Sequence, residues 1–436
     1  MTRTHAAPLW KDAFEAAAAT VSSSRAIIKD FQTICGFGGR FAGTESERRA
    51  RQYLASRLAE VSGARVEEYP VPYKGWDRGP ASVTMVGGPR FAATALGRSP
   101  STIPAGLRAP LIDLGRGTPD DFGRAGKKLS GGIALVRHEY MLALDHIHRR
   151  KKYAMAKAAG AAGFLIASGL PGEILVTGSA GSLEPDDIPG AGISMESAKA
   201  LTDRGGEVDV RVQGQFHDRS AINLVAEIPG RTSELIVLTA HIDGHDLAAS
   251  AIDNASGLAS VLAIAAALRP VVPRLRRGLM IALFNVEEWA VLGSRHFLET
   301  LPESKRRFLS FNVNLDSIAG SPNLAVMTSG IPAAEAALAS VNEQLGFRLG
   351  RHDRFTDNSD HANFIRIGIP ALRLCAGLDE PASNLRFLLT TGDTPDKVSS
   401  NELRAAARAG IALTLAASEV DHHHLSPKDV SRILSS

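Results

Sequence analysis

The sequence predicts an α/β protein: a three-layer sandwich on a mostly parallel mixed sheet, with a small β-rich domain inserted into it. Three observations carry this expectation. Beyond about residue 218, apolar runs of strand length alternate with alanine-rich helical stretches. Between about 76 and 216 the texture changes to short β-type runs separated by Gly, Pro and Asp. Polar residues with catalytic chemistry stand at the ends of the later apolar runs, where parallel sheets gather their sites.

Taken in order, the segment from about 10 to 60 reads as helical. Over 45–61 the apolar positions Ala50, Tyr53, Leu54, Leu58 and Val61 fall on one helical face. The preceding Gly36-Phe37-Gly38-Gly39-Arg40-Phe41-Ala42-Gly43 looks like a phosphate loop. It follows no clear strand and has no acidic partner downstream, so it reads as a structural turn. Short strands are expected at 81–86, 132–137, 163–167 and 208–212, with one alanine-rich helix at 153–162. Then come strand 234–240, helix 255–268, strand 279–284, helix 289–301 and strand 311–315. Such alternation needs both faces of a parallel sheet covered. Residues 1–75 and 217–436 are therefore assigned to one domain, and 76–216 to the insertion.

With 436 residues, two domains are expected. The chain is 44% apolar and 22% charged, enough to fill a large core. Its net charge of +3 is spread along the sequence, which argues against nucleic acid as a partner. The one dense basic patch, His148-Arg149-Arg150-Lys151-Lys152, reads as a solvated helix face rather than an anion site. The distant Cys35 and Cys375 read as free core thiols, which suits a reducing compartment. The N-terminus shows no apolar signal-peptide core and no run approaches the ~20 apolar residues of a membrane span. A cytoplasmic protein without a membrane partner is expected. An exposed face on the insertion leaves room for a homodimer.

Four stretches carry the chemistry: Ala240-His241-Ile242-Asp243, Asp253-Asn254-Ala255-Ser256-Gly257, Glu287-Glu288 and Asn314-Leu315-Asp316, followed late by Gly392-Asp393-Thr394-Pro395-Asp396. Singly, Asp253 reads as a helix N-cap, Glu287-Glu288 as a solvated first turn and Asp316 as a turn residue. Jointly, each at a strand end, they read as donors for zinc-like ions with a position left open for water. Successive glutamates diverge, so one can bind metal while the other takes a proton from the attacking water. Asp145-His146-Ile147-His148 is placed at the border of the cleft. Asp421-His422-His423-His424 reads as a solvated tail. Ser359, before Asp360-His361, lacks a Gly-x-Ser-x-Gly elbow, so a serine triad is set aside.

These stretches, with Leu292-Gly293-Ser294 and Ser359-Asp360-His361, resemble the zinc exopeptidases of peptidase family twenty-eight, which includes aminopeptidases and glutamate carboxypeptidase relatives. The resemblance covers about 218 to 400. Arg40-Phe41-Ala42-Gly43-Thr44 resembles the family's opening segment, and the insertion resembles a protease-associated domain through Leu114-Gly115-Arg116-Gly117-Thr118 and residues 157–166. It implies a zinc-exopeptidase-like fold, one or two zinc ions and a small peptide or amide substrate. His241 and Asp316 would hold one metal, Asp253 would bridge two, and Glu288 would hold the other. Glu287 would be the general base and Asp243 would orient His241. The family's last ligand is a His four residues before the Asp of Asp-Thr-Pro-Asp, and here that position is Leu389. Four accounts are open: a single metal, a second site completed by His245 or His361, a substitution engineered to trap an inactive form, or a scaffold that has lost turnover. An apolar Leu389 beside the site also tilts the expected substrate toward an unusual or aromatic amide.

Overall fold

A computed structural model describes residues 9–181, 183–420 and 423–435. Thirteen strands among these residues join into one sheet. The early ones are β1 (Glu67–Met85), β2 (Arg90–Ala95), β3 (Leu107–Asp113), β4 (Ile133–Arg137), β5 (Gly163–Ala167) and β6 (Gly190–Ile193). Next come β7 (Glu207–Ile228), β8 (Leu235–His241), β9 (Gly278–Phe284), β10 (Leu309–Leu315), β11 (Leu324–Met327), β12 (Gly350–His352) and β13 (Ala371–Ala376). Their order is β1-β2-β6-β5-β4-β3-β7-β9-β8-β10-β13-β11-β12.

The half that carries the site is parallel at its centre. β8 lies between β9 and β10, and β10 pairs in parallel with β13, while β7 and β11 add antiparallel flanks. Every residue of β9, β10 and β13 is buried. Helices make this possible by covering both faces. Leu9–Ser23, Ala26–Gly36, Ser256–Leu268 and Ser400–Glu419 pack together on one face, and Leu292–Thr300 and His361–Arg366 lie on the other. The helix Ser256–Leu268 is apolar nearly all round, as a core helix must be. The 18-residue stretch Ala251–Leu268 is long and apolar enough to cross a membrane, contrary to the sequence reading, but 83% of it is buried in the protein.

β1 and β7 differ from the short strands expected there. They pair antiparallel over nearly their whole length, from Glu67 opposite Val225 to Met85 opposite Val208. Gly75 faces His217 and Trp76 faces Phe216, so the proposed domain boundaries meet inside an unbroken ribbon rather than at linkers. The inserted region also holds more helix than expected: Pro119–Ala125 and Met195–Arg204 join Arg149–Ala158, and β4, β5 and β6 run parallel. Both cysteines are free and buried. In the C-terminal tail, Asp421 and His422 lie outside the described residues, while a ring nitrogen of His424 sits 2.8 Å from the Leu309 carbonyl.

Candidate metal centre

The site is built from the carboxyl ends of β8, β9 and β10. His241 is the last residue of β8. The chain then loops through His245 and makes a single wide turn, Ala251–Ala255, before the helix Ser256–Leu268. Arg40 fixes this loop. Its fully buried guanidinium donates to the carbonyls of Ile242 (2.9 Å), Ala249 (2.8 Å) and Ser250 (2.9 Å). Gly39 permits the approach, since a Cβ there would lie 1.9 Å from the His245 carbonyl. The turn is held from the other side by Asp393, which accepts from the backbone N–H of Ile252 (2.8 Å) and Asp253 (3.2 Å). Asp253 is thus no helix cap: the helix Ser256–Leu268 is capped at Ala255 without any side-chain hydrogen bond, and Asp253 faces the cleft.

Beyond β9 the chain turns through Val286 with φ +50°. Asp243 clamps this turn, its two carboxylate oxygens accepting from the N–H of Glu287 (3.0 Å) and Glu288 (3.1 Å). The ring of His241 is oriented chiefly by the backbone of Asp243, whose carbonyl lies 3.0 Å from Nδ1, with the carboxylate at 3.7 Å. Asp243 therefore sets both glutamates as well as the histidine.

Two donor triads result, sharing Asp253: His241, Asp253 and Asp316, and His245, Asp253 and Glu288. In each, one donor atom per residue lies within 4.8 Å of the others, close enough to surround one ion. In the first, His241 Nε2 is 3.0 Å from Asp253 Oδ1 and 3.5 Å from Asp316 Oδ1. In the second, His245 Nε2 and Glu288 Oε1 stand 2.8 Å apart, yet both are buried and neither is aligned for a hydrogen bond. Two buried donor atoms this close and without hydrogen-bond partners can both ligate one cation.

The charges agree. Burial opposes a proton on His241, but the carboxylates of Asp243, Asp253 and Asp316 outweigh it and hold the ring well above its ordinary range. His245 is likewise raised, burial being overcome by Glu288. Both rings sit in an excess of negative charge that divalent ions would neutralise. Glu287 joins neither triad. It lines the same cleft, and burial drives its carboxyl well above the usual range, which suits a group that must hold a proton.

Leu389 is buried in the cleft wall beside Leu388, and His245 completes a second candidate donor triad with Asp253 and Glu288. His361 plays no such part: its buried Nε2 is 3.5 Å from Thr356 Oγ1. Ser359 is no nucleophile, because its hydroxyl donates to Asp316 Oδ2 and accepts from Asn314. Arg373, which the sequence reading missed, lies 3.2 Å from Asp316 Oδ2 and holds that carboxylate charged. The basic run is also corrected. It opens the helix Arg149–Ala158, and Arg149, Lys152, Tyr153 and Ala156 form its buried face. His148 and Arg149 line the metal cleft, where Asp145-His146-Ile147-His148 was expected to border it.

A sheet covered on both faces, with five donor side chains converging beyond its carboxyl edge, defines an α/β metal-site protein. Residues 223–414 match Peptidase family M28 and residues 107–201 match the PA domain. The M28 match covers less than half of the chain, and the PA-domain match lies ahead of it. Leucine aminopeptidase 2 of Trichophyton rubrum is 30% identical over 248 residues, 52% of this chain and 49% of that protein. The match thus spans about half the length of such fungal relatives. Aminopeptidase YwaD of Bacillus subtilis is 26% identical over 414 residues, 91% of this chain and 84% of that protein. Among solved structures, a peptidase M28 precursor from Shewanella amazonensis superposes with a TM-score of 0.80 at 23% identity, covering 96% of this chain and 99% of that one. The zinc aminopeptidase BSAP from Bacillus subtilis gives 0.70 at 24% identity, covering 92% and 94%. These last two likenesses concern the fold.

Proposed function

We propose that the protein is a zinc-dependent exopeptidase of the aminopeptidase type that hydrolyses the amide bond of short peptides. The observation that carries this reading is the pair of donor triads sharing Asp253, with the unliganded Glu287 beside them. The names of the relatives support zinc and an aminopeptidase activity. When bound, the two ions supply Lewis-acid polarisation of the scissile carbonyl and a water acidic enough to attack near neutral pH.

The chain's own residues do the rest. His241, Asp253 and Asp316 hold one ion, and His245, Asp253 and Glu288 the other. Glu287 accepts the water's proton on its carboxylate and passes it to the leaving amine nitrogen. Asp243 keeps Glu287 in reach of both positions by fixing its backbone N–H. The wall formed by Met141, Leu142, Leu388 and Leu389 supports an apolar substrate side chain. A scaffold role rested on the donor lost at 389, and His245 removes that ground. The two free cysteines support a reducing, cytoplasmic setting.

Elemental analysis of the purified protein should find about two zinc-like ions per chain, and chelation should abolish peptide hydrolysis. In Glu287→Gln protein the metal should remain while kcat falls about 100- to 10,000-fold. Full activity in metal-free or Glu287→Gln protein would refute the reading.

A further inference from the structure

Three helices of this protein carry an acidic residue three positions after a Ser or Thr cap and use it in the same way. Asp121, Glu402 and Asp429 each reach back to the backbone N–H of the capping residue. Glu47 holds the same position behind Thr44 in the helix Glu45–Ser62, and Thr44 accepts from its N–H at 3.3 Å. Its side chain does not return the bond. It turns inward instead, is 6% exposed, and accepts from Asn285 Nδ2 at 2.8 Å and from Arg51 Nε at 3.2 Å.

Asn285 directly follows β9 and opens the turn that presents Glu287 and Glu288. Its backbone N–H donates to Asn223 Oδ1 (2.8 Å), and its Oδ1 accepts from the N–H of Val286 (2.9 Å). Asn223 Nδ2 donates to the Gly293 carbonyl (3.0 Å), beyond the glutamates. Asn223 thus ties the two ends of the turn together, and Glu47 ties its first residue to the helix Glu45–Ser62. Both asparagines are fully buried. Gly293 closes against them: a Cβ there would stand 1.9 Å from the Asn285 carbonyl and 2.9 Å from Asn223 Oδ1. Val286, Ala290 and Val291 all hold left-handed φ values in this turn. Two of the three are β-branched, so such a backbone persists only when its surroundings over-determine it. Asp243 grips the turn from the cleft side, and the buried chain of Glu47, Asn285 and Asn223 grips it from behind. Without Glu47, Asn285 Nδ2 keeps only a 3.4 Å contact with the Ile222 carbonyl, a weaker bond than one to a carboxylate.

We propose that Glu47 is a positioning residue for the general base, setting Glu287 through Asn285 and the turn. Glu47 belongs to neither donor triad and does not line the cleft. The proposal rests on the exopeptidase reading above, which gives Glu287 its proton transfer. A base displaced by about 1 Å loses on the order of a hundredfold in rate, so a distant anchor is read in turnover rather than in substrate binding.

The test uses the zinc-loaded full-length chain with leucyl-leucinamide as substrate. Glu47→Ala should lower kcat about 10- to 100-fold, with KM changed less than about threefold and zinc content as in the wild type. Glu47→Gln keeps an acceptor oxygen and should recover most of the loss. Asn285→Asp sets two carboxylates against each other and should depress kcat as Glu47→Ala does. Adding Glu47→Gln to it returns a donor opposite the new carboxylate and should restore turnover. In Glu287→Gln protein, Glu47→Ala should change the residual rate less than about threefold, because a residue acting through the base has nothing left to set. Hydrogen–deuterium exchange reads the turn without turnover: Glu47→Ala should speed exchange over 285–292 by about fivefold or more and leave 251–258 unchanged. If the wild type cleaves no peptide amide but exchange over 285–292 follows Glu47, the hydrolase reading fails and the hold of Glu47 on the Glu287 turn is upheld. A loss carried by KM, a full further loss in Glu287→Gln protein, or unchanged exchange over 285–292 overturns the proposal.

Discussion

Replacing His245 by alanine removes one donor from the triad it forms with Asp253 and Glu288, and leaves the triad of His241 and Asp316 intact. Bound metal should then fall from about two ions per chain to about one by elemental analysis. Leu389→His should add no ion, because the second place already has its histidine. A rise in metal content on that substitution would show that His245 is not a ligand. The four donors at or near strand ends were legible in the sequence, since a polar side chain closing an apolar run has few other uses. His245 was only a candidate because it sits in a loop, where no periodicity marks direction. Arg149 was misread for a related reason: a basic run looks the same in sequence whether it faces solvent or a cleft. The inward spacing of Arg149, Lys152, Tyr153 and Ala156 was the available sign.

The elements around the site are shaped by a few unusual positions. The helix expected over 289–301 begins only at Leu292, because Val286, Ala290 and Val291 adopt left-handed φ values of +50°, +61° and +53° in the turn that presents the glutamates. No propensity rule anticipates such a turn, which Asp243 holds in place. The loop bearing His245 depends in the same way on Gly39 and Arg40. Gly39→Ala pushes a methyl group against the His245 and Ala248 carbonyls, 1.9 Å and 2.7 Å from the ideal Cβ. It should weaken the His245 ion selectively, read as zinc retention during stepwise chelation, and spare the His241 ion. Arg40→Met leaves three buried carbonyls without their donor and should cost roughly 2–5 kcal/mol in denaturant unfolding. A change below about 1 kcal/mol would show that other donors replace the guanidinium.

At the scale of the whole molecule, the inserted region and its host share strands and bonds. Thr177 donates to the Leu389 carbonyl at 2.7 Å, Thr391 to the Leu175 carbonyl at 3.0 Å, and Arg78 pairs with Asp246 at 2.7 Å. Tyr140 donates to the Gly377 carbonyl across the same seam. Calorimetry of the intact chain should therefore show one cooperative unfolding transition, and two well-separated transitions would mean the seam carries little stability. The sequence texture changes near 76 and 216, but composition cannot show that β1 and β7 pair through those positions.

That ribbon offers a route for redesign. Because Gly75 and His217 already lie opposite each other on antiparallel strands, a two-residue turn placed between them could close the host and excise everything in between without altering strand register. The shortened chain would keep all five candidate metal donors and Glu287, while losing Arg149 and Thr177, whose N–H donates to the Leu389 carbonyl. The cut would fall on a single rung of the ladder, between Gly75 and His217.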